Sequence, residues 1–463
     1  MPQHTRGVVV GTSFFVFVAL CAPVSVAAPL SREEVDRFVK PLVDGGYCQS
    51  VVVGLVDEGG TRVFGYGKTA AGAGGSTPDG DTVYEIGSAS KVFTSLLLAD
   101  MVSRGEVKLD DPVQKYLPAG VKVPKKGEQV ITLAHLASHT SGLPRMPDNM
   151  KPKNPANPYA DYTAKQLYDF LSHCEPEREA GEGFEYSNLG AALLGQVLAR
   201  RAGKSYEALV VERICNPLKM NDTRMTLTPS MKKRLAPGHA VGGKAAPNWD
   251  LGVFAGAGGL RSTANDMVKF LAANIRPEGA GELAEAIKLA QVTRGRADAA
   301  NDIALGWHVQ AKDKLVWHNG QTGGYHSFLG VLPARGVGVV LLTNTAAAQP
   351  DAAAMGLLRR MAGQKAEPPK ARVVVKLDEK TLDEYVGAYP LAPGFVLTVS
   401  REGGQLICQA TGQGKLPVFP SAKDEFFYRA VEATITFKRG DDGEVSGLVL
   451  HQNGANLPGT KVK

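Results

Sequence analysis

No run of five or more lysines and arginines occurs in the 463 residues, and the net charge of +6 is spread along the chain. Proteins that bind nucleic acid through charge concentrate their cations on one face or in a tail. This chain does not, so nucleic acid is not expected as a partner. Cysteine is scarce, 5 residues in all. None sits in a CxxC or a Cys/His cluster, which removes the common zinc patterns. HExxH is absent, and so is the GxSxG of an α/β-hydrolase elbow. His135 and His139 stand four apart and would share a face if both were helical, but no nearby Asp, Glu or Cys completes a ligand set. No metal and no cofactor is expected. Repeats and low-complexity tracts are absent. After the N-terminal segment no apolar run is long enough to span a bilayer.

The N-terminal segment itself is distinctive. Arg6 precedes the apolar stretch "GVVVGTSFFVFVAL", and "APVSVAAPL" follows, with small Ser25 and Ala27 at the positions a signal peptidase reads. Residues 1–27 are therefore read as a cleaved secretory signal. A lipoprotein signal on Cys21 would want a small residue where Leu20 stands. The mature chain is expected to be periplasmic or secreted, without stable membrane insertion. Export permits disulfides. Cys48, Cys174, Cys215 and Cys408 allow three pairings, and buried free thiols are equally open.

What is present begins with strands. "SVVVGLVDEGGTRVFGYGK" is two β-rich runs around Gly59-Gly60, a hairpin. Roughly 88–290 is helical, broken by Gly/Pro loops. "AALLGQVLARRAG" is a periodic helix closed by Gly203, and "STANDMVKFL" opens on capping candidates. Three β-runs return at 314–320, 325–333 and 336–345. The economical arrangement is an α/β domain over 29–362. One antiparallel sheet is built from both chain ends, with a helical lobe beside it and a cleft between. Residues 363–376, charged and Pro-containing, read as a linker. Residues 377–463 alternate short β-runs with Gly/Asp turns, a small all-β sandwich or barrel. A cut near Pro369 is expected to leave a folded 30–365 unit.

Three stretches carry candidate chemistry. In "GSASKVFTSLLLADM", Ser88 and Lys91 are three apart, one helical turn. Ser88 would sit at a helix start, where free N–H groups and a positive dipole can stabilise an oxyanion. A lysine buried there loses its proton readily and can then take one from a serine hydroxyl. The plain alternative is a serine N-cap and a solvated lysine. In "GFEYSNLG", Tyr186 and Asn188 are two apart and point the same way in extended chain. A tyrosine beside a cationic lysine ionises more easily and can act as base or relay. Ser187 or Asn188 as a helix cap is the alternative. In "WHNGQTGGYHSF", His318 and Gly320 close a strand run, Gly320 permits close approach along its edge, and the Gln321 N–H is a candidate oxyanion donor. A structural histidine is the alternative for His318. No role is assigned to His326.

SxxK, then YxN about 100 residues on, then HxG about 130 further, resembles the serine β-lactamase and penicillin-binding-protein superfamily. It is most similar to the class C branch with its esterases and D-aminopeptidases. "ITLAHLASHTSGLP", "NPLKMNDT" and "AGAGGLRSTANDMVKFL" fit the same pattern, and the resemblance covers about 30–365. The resemblance implies Ser88 as acylated nucleophile, Lys91 as its proton acceptor and Tyr186 as base. Asn188 would orient lysine and substrate. His318 and Gly320 would lie on the strand lining the site, and the Ser88 and Gln321 amides would form the oxyanion hole. Residues from about 378 resemble the lipocalin-like domain appended to some such peptidases and esterases. His318 stands where β-lactamases of this branch carry lysine, and Ala180-Gly181 where Pro-Gly is common. The histidine argues against efficient cephalosporin hydrolysis. The expected function is an exported serine hydrolase of amide or ester bonds, acting on small molecules or short peptides. A D-amino-acid peptidase, amidase or esterase leads. The alternatives are an atypical β-lactamase, or a penicillin-binding sensor that acylates with little turnover. Oligomeric state is not readable.

Overall fold

The computed structural model describes Met1 and residues 29–462, except 71–73, 370, 371, 373, 432 and 453. The expected signal segment therefore lies outside the described residues apart from Met1.

The two ends of the first domain do meet in one sheet. Ser50–Asp57 pairs with Gly60–Gly67 on one side and with Val337–Thr343 on the other, in register Val51↔Thr343. His326–Leu332, Val316–Gln321, His308–Gln310, Asn301–Ile303 and Gly295–Arg296 extend it to eight antiparallel strands. Every residue of Ser50–Asp57 is buried, because helices cover both faces. Val51, Val53 and Leu55 join an apolar cluster with Phe38 and Leu357, on helices Arg32–Asp44 and Pro350–Met361. Val52 and Val56 face the opposite way, into the cluster that holds Met267 and Leu271 of helix Ala264–Ile275.

The helical lobe is built around two almost wholly buried helices. Ser90–Ser103 buries all residues from Ser90 to Met101, as expected of a helix that is apolar all round. Phe93 stacks on Phe270 at 4.3 Å. Asn188–Ala202 is capped by the Ser187 hydroxyl and ends at Gly203, φ 64. Helix Leu133–Ala137 stops before His139, so His135 and His139 do not share a helix. No helix among the described residues is long and apolar enough to cross a membrane.

The C-terminal part is a nearly closed eight-stranded antiparallel barrel running in simple order from Gly387–Ala392 to Ala455–Thr460. A bridge between Ala388 and Val462 draws its first and last strands together. Tyr385, Tyr389, Phe426 and Phe437 pack against one another inside it, so side chains fill the interior. The barrel also touches the first domain. Phe419 and Phe427 belong to the same apolar cluster as Phe38, Leu42 and Tyr47. At this junction the Arg429 guanidinium lies 4.0 Å over the Phe419 ring of its own domain and donates across to Gly45 O at 2.6 Å. The four cysteines described are free thiols. Burial pushes Cys48, Cys215 and Cys408 up to about 12.

Candidate active site

Strand Val83–Glu85 delivers the chain into a tight turn, Gly87–Ala89, which continues as helix Ser90–Ser103. Ser88 lies in this turn, just before the helix proper. Two glycines make the turn possible. Gly87 has φ +51, and a Cβ there would stand 2.7 Å from Gln321 N. Gly320 lies so close that a Cβ would fall 2.0 Å from Ile86 O. Strand Val316–Gln321 is thereby laid directly against the serine turn, and Ser327 Oγ donates to Ile86 O at 2.7 Å behind it.

Lys91 is 1% exposed. Its Nζ lies 2.9 Å from Ser88 Oγ, 2.9 Å from Asn188 Oδ1 and 2.7 Å from Ala257 O. Two of these partners are carbonyl oxygens and can only accept. An uncharged amine has two N–H groups for them and a lone pair left for the serine hydroxyl. Burial, helped by the charge of Arg145, holds Lys91 well below the usual lysine range, which favours that form. Ser90, by contrast, accepts from Leu260 N at 3.0 Å and is buried away from the lysine.

Tyr186 stands on the other side of Ser88. Lys91 Nζ is 4.9 Å and Arg145 Cζ 5.0 Å from its ring centroid, and His139 packs on it at 4.5 Å. The phenol differs from the expectation of easy ionisation. Burial raises it to about 12, against a smaller lowering by a hydrogen bond to Ser88 and by Arg145. Desolvation of the buried ring is the largest influence on the phenol and outweighs the Arg145 charge.

A cavity of about 520 Å³ opens over these groups. Ser88, Tyr186, Asn188, Gly320 and Gln321 line it; Lys91 and His318 do not. His318 is 1% exposed. Strand alternation turns its ring inward, 6.2 Å from Tyr186 and 5.4 Å from His308. Its Nδ1 bonds Asn319 O, and Nε2 has no partner among the described residues. Burial first, then the neighbouring His308 and Lys91, hold it well below the ordinary histidine value. His318, expected on the strand lining the site, is on that strand but lies beneath the cavity floor, where burial favours the uncharged imidazole.

Residues 35–364 match the family model described as "Beta-lactamase". The chain belongs to the β-lactamase family. A D-alanyl-D-alanine-carboxypeptidase/endopeptidase, AmpH, of Escherichia coli (strain K12) is 31% identical over 70% of this chain and 89% of its own length. A β-lactamase of the same organism is 28% identical over 69% and 90%. Among solved structures, a β-lactamase/D-alanine carboxypeptidase from Yersinia pestis complexed with citrate is similar. Its TM-score is 0.61 and its identity 26%, covering 71% of this chain and 97% of that one. Residues 371–461 match a second family model, described only as a domain of unknown function.

This β-lactamase-family serine hydrolase carries further cavity residues that motif reading did not supply. Tyr159 and Trp249 form an aromatic wall with ring centroids 5.3 Å apart. Arg145 lies at the mouth, and His308, lowered by burial to about 4, lines the side. His326 acquires partners. Its Nε2 lies 2.7 Å from Asp351 Oδ1 and its Nδ1 3.0 Å from Gln321 Oε1, while Asn319 Nδ2 donates to Asp351 Oδ2 at 2.6 Å. Asp351 thereby holds Asn319 directly and Gln321 by way of His326, the two residues that flank Gly320. The Arg145 position follows the quoted "SGLP" stretch directly, and that adjacency was the one signal available.

Proposed function

We propose that this chain hydrolyses amide or ester bonds through an acyl-enzyme on Ser88, with D-amino-acid peptides, amides or simple esters as its substrate class. The observation that carries the reading is the Lys91 amine, held by two carbonyl oxygens with Ser88 Oγ as its third neighbour. Lys91 takes the Ser88 proton as Oγ attacks the substrate carbonyl. The N–H groups of Ser88 and Gln321 receive the developing oxyanion. Tyr186, a neutral phenol near pH 7, passes a proton between the lysine and the leaving nitrogen or oxygen. Asn188 holds both the lysine and a substrate amide. Water then enters by the same relay in reverse and releases the acid.

The names of the relatives fit a substrate of small peptides or β-lactams. The recessed, uncharged His318 favours peptide or ester over cephalosporin. The N-terminal pattern supports export, and the activity is assigned to 29–362.

The test is a panel on the purified mature chain: a nitrophenyl ester, a D-alanine anilide and a chromogenic cephalosporin. Steady turnover of the first two, abolished in Ser88→Ala, is expected. Undiminished activity in Ser88→Ala would remove the nucleophile. A burst with a stoichiometric plateau would turn the enzyme into a sensor. Dominant cephalosporin turnover would overturn the reading of His318.

A further inference from the structure

The floor of the cavity holds chemistry, but its mouth holds the charge. Among the described lining residues Arg145 is the one lysine or arginine. The other titratable groups there are not available as anion holders. His308 is discharged by burial, and His326 faces the Asp351 carboxylate. Tyr159 and Tyr186 are phenols raised by burial. His318, on the strand, lies beneath the floor.

Arg145 is exposed, and its guanidinium makes no hydrogen bond or ion pair with any described residue. Its guanidinium lies over the face of Tyr186, 5.0 Å from the ring centroid. Yet its backbone is fixed. Arg145 O accepts from Asn188 N at 3.1 Å and Leu189 N at 3.3 Å, the first residues of helix Asn188–Ala202. The cation therefore projects from an anchored point, beside the two residues of the YxN motif. Stacking fixes the guanidinium plane and leaves its N–H fork free for a planar anion. A cleft with low-dielectric walls focuses the field of such a charge on whatever enters.

Resting on the serine-hydrolase reading, we propose that Arg145 is a carboxylate anchor, and that the preferred substrate carries a negative charge that docks on this guanidinium. It is a specificity-determining residue, not a participant in bond cleavage. The carboxylate can belong to the acyl portion or to the leaving group, and the test separates the two. Arg145 also acts at a distance, since its charge helps lower Lys91 and opposes the rise of Tyr186. A residue acting only through that field would alter all substrates alike.

The experiment uses the full mature chain and two matched pairs. One pair is the nitrophenyl ester of succinic acid and that of its monoamide. The other is D-alanine 4-carboxyanilide and 4-carboxamidoanilide. The readout is the ratio of kcat/KM, anionic over neutral, in wild type, R145Q, R145K and R145E. In at least one pair the wild-type ratio is expected to be about 10 or more, as for a hydrogen bond to a charged group. It should fall towards 1 in R145Q, fall below 1 in R145E, survive in part in R145K, and shrink with added salt. The change should lie mainly in KM. A ratio that R145Q leaves unaltered in both pairs overturns the proposal, even if both rates drop and the pH profile moves.

Failure of the hydrolase reading is scored separately, by Ser88→Ala retaining activity or by no turnover of either pair. In those cases calorimetry on Ser88→Ala compares a D-alanyl peptide acid with its amide. Arg145→Gln on that background should weaken the acid about 10-fold and leave the amide alone. Equal effects, or no binding of the acid, reject the anchor.

Discussion

Both halves of the chain build an eight-stranded antiparallel sheet, and each disposes of its interior differently. The barrel closes nearly on itself and fills with Tyr385, Tyr389, Phe426 and Phe437. Its buried tyrosine hydroxyls are directed to fixed partners, Tyr389 to Tyr385 O at 2.7 Å and Tyr385 to Asp424 at 2.8 Å. The N-terminal sheet leaves residues 318–321 of the Val316–Gln321 strand unpaired on one side, and it gathers a buried lysine, two buried histidines and the half-buried His308 near the serine turn. Two of those rings, His139 and His318, keep an unpartnered Nε2 among the described residues. Unsatisfied buried polar atoms are costly and rare in packed cores. Both rings lie against Tyr186, with centroids 4.5 and 6.2 Å away, so part of that cost falls beside the candidate catalytic groups.

That contrast can be attacked from several sides. The largest effect is expected from Ser88→Ala, which should reduce kcat by roughly 10⁴-fold or more while leaving the melting temperature close to wild type. An intact melting curve with intact activity would dissolve the distinction between the two regions.

Next comes Lys91→Met, expected to cost about 10³-fold, the scale of general-base removal. The associated pH dependence has a definite sign. In the proposed mechanism Lys91 works as the free amine, and its value is depressed. Activity should therefore be low where the amine is protonated and rise to a plateau as pH climbs, with the limb below the ordinary lysine value of 10.5. Tyr186, raised to about 12, adds no falling limb in the neutral range. A bell centred on neutrality, read from kcat/KM of the nitrophenyl ester, would contradict both assignments.

A pair of glycines gives a subtler comparison. Gly320→Ala drives a Cβ to 2.0 Å from Ile86 O. The strand must retreat from the serine turn, and a displacement of that kind costs on the order of 10²-fold in rate. Gly404, in a barrel turn, has nothing within 4 Å of its Cβ position. Its change to alanine should leave activity unaltered and stability within about 0.5 kcal/mol. Finally Phe437→Ala should destabilise the barrel by about 3–5 kcal/mol in denaturant unfolding. The hydrolase kcat/KM should stay within about 3-fold, a margin below one kcal/mol. A large loss of activity there would show that the two regions are energetically one.

The residues that reached the site from sequence did so because their spacing is short. Ser88 and Lys91 are one turn apart, and Tyr186 and Asn188 share one face of an extended pair. Local geometry carries such relations. Arg145, His308 and the His326–Asp351 contact depend on strands and loops meeting across the fold, which no local period encodes. The direction of the Tyr186 shift was missed for a related reason. Neighbouring charge is legible in a motif, whereas the extent of burial is a tertiary quantity. His318 was placed on the right strand but at the wrong depth, since whether a strand residue faces cavity or floor depends on what packs beneath it. The hairpin at Gly59-Gly60 and the late strands were legible because β-branched runs between turn residues declare themselves. Near-closure of the barrel, resting on the Ala388–Val462 bridge between remote strands, did not.

The junction under Arg429 bears on how the protein can be handled. Phe427 packs on Tyr47 at 5.8 Å, and Arg429 lies over the Tyr47 ring, so the barrel covers apolar surface of the first domain. Trimming the chain near Pro369 would present that surface to water. The shortened hydrolase would then be a colloidal problem before it was a catalytic one: soluble only when dilute, prone to self-association, and easily mistaken for misfolded. Replacing Tyr47 with a charged residue is the simplest remedy to try with such a truncation, and light scattering is the assay that would register it.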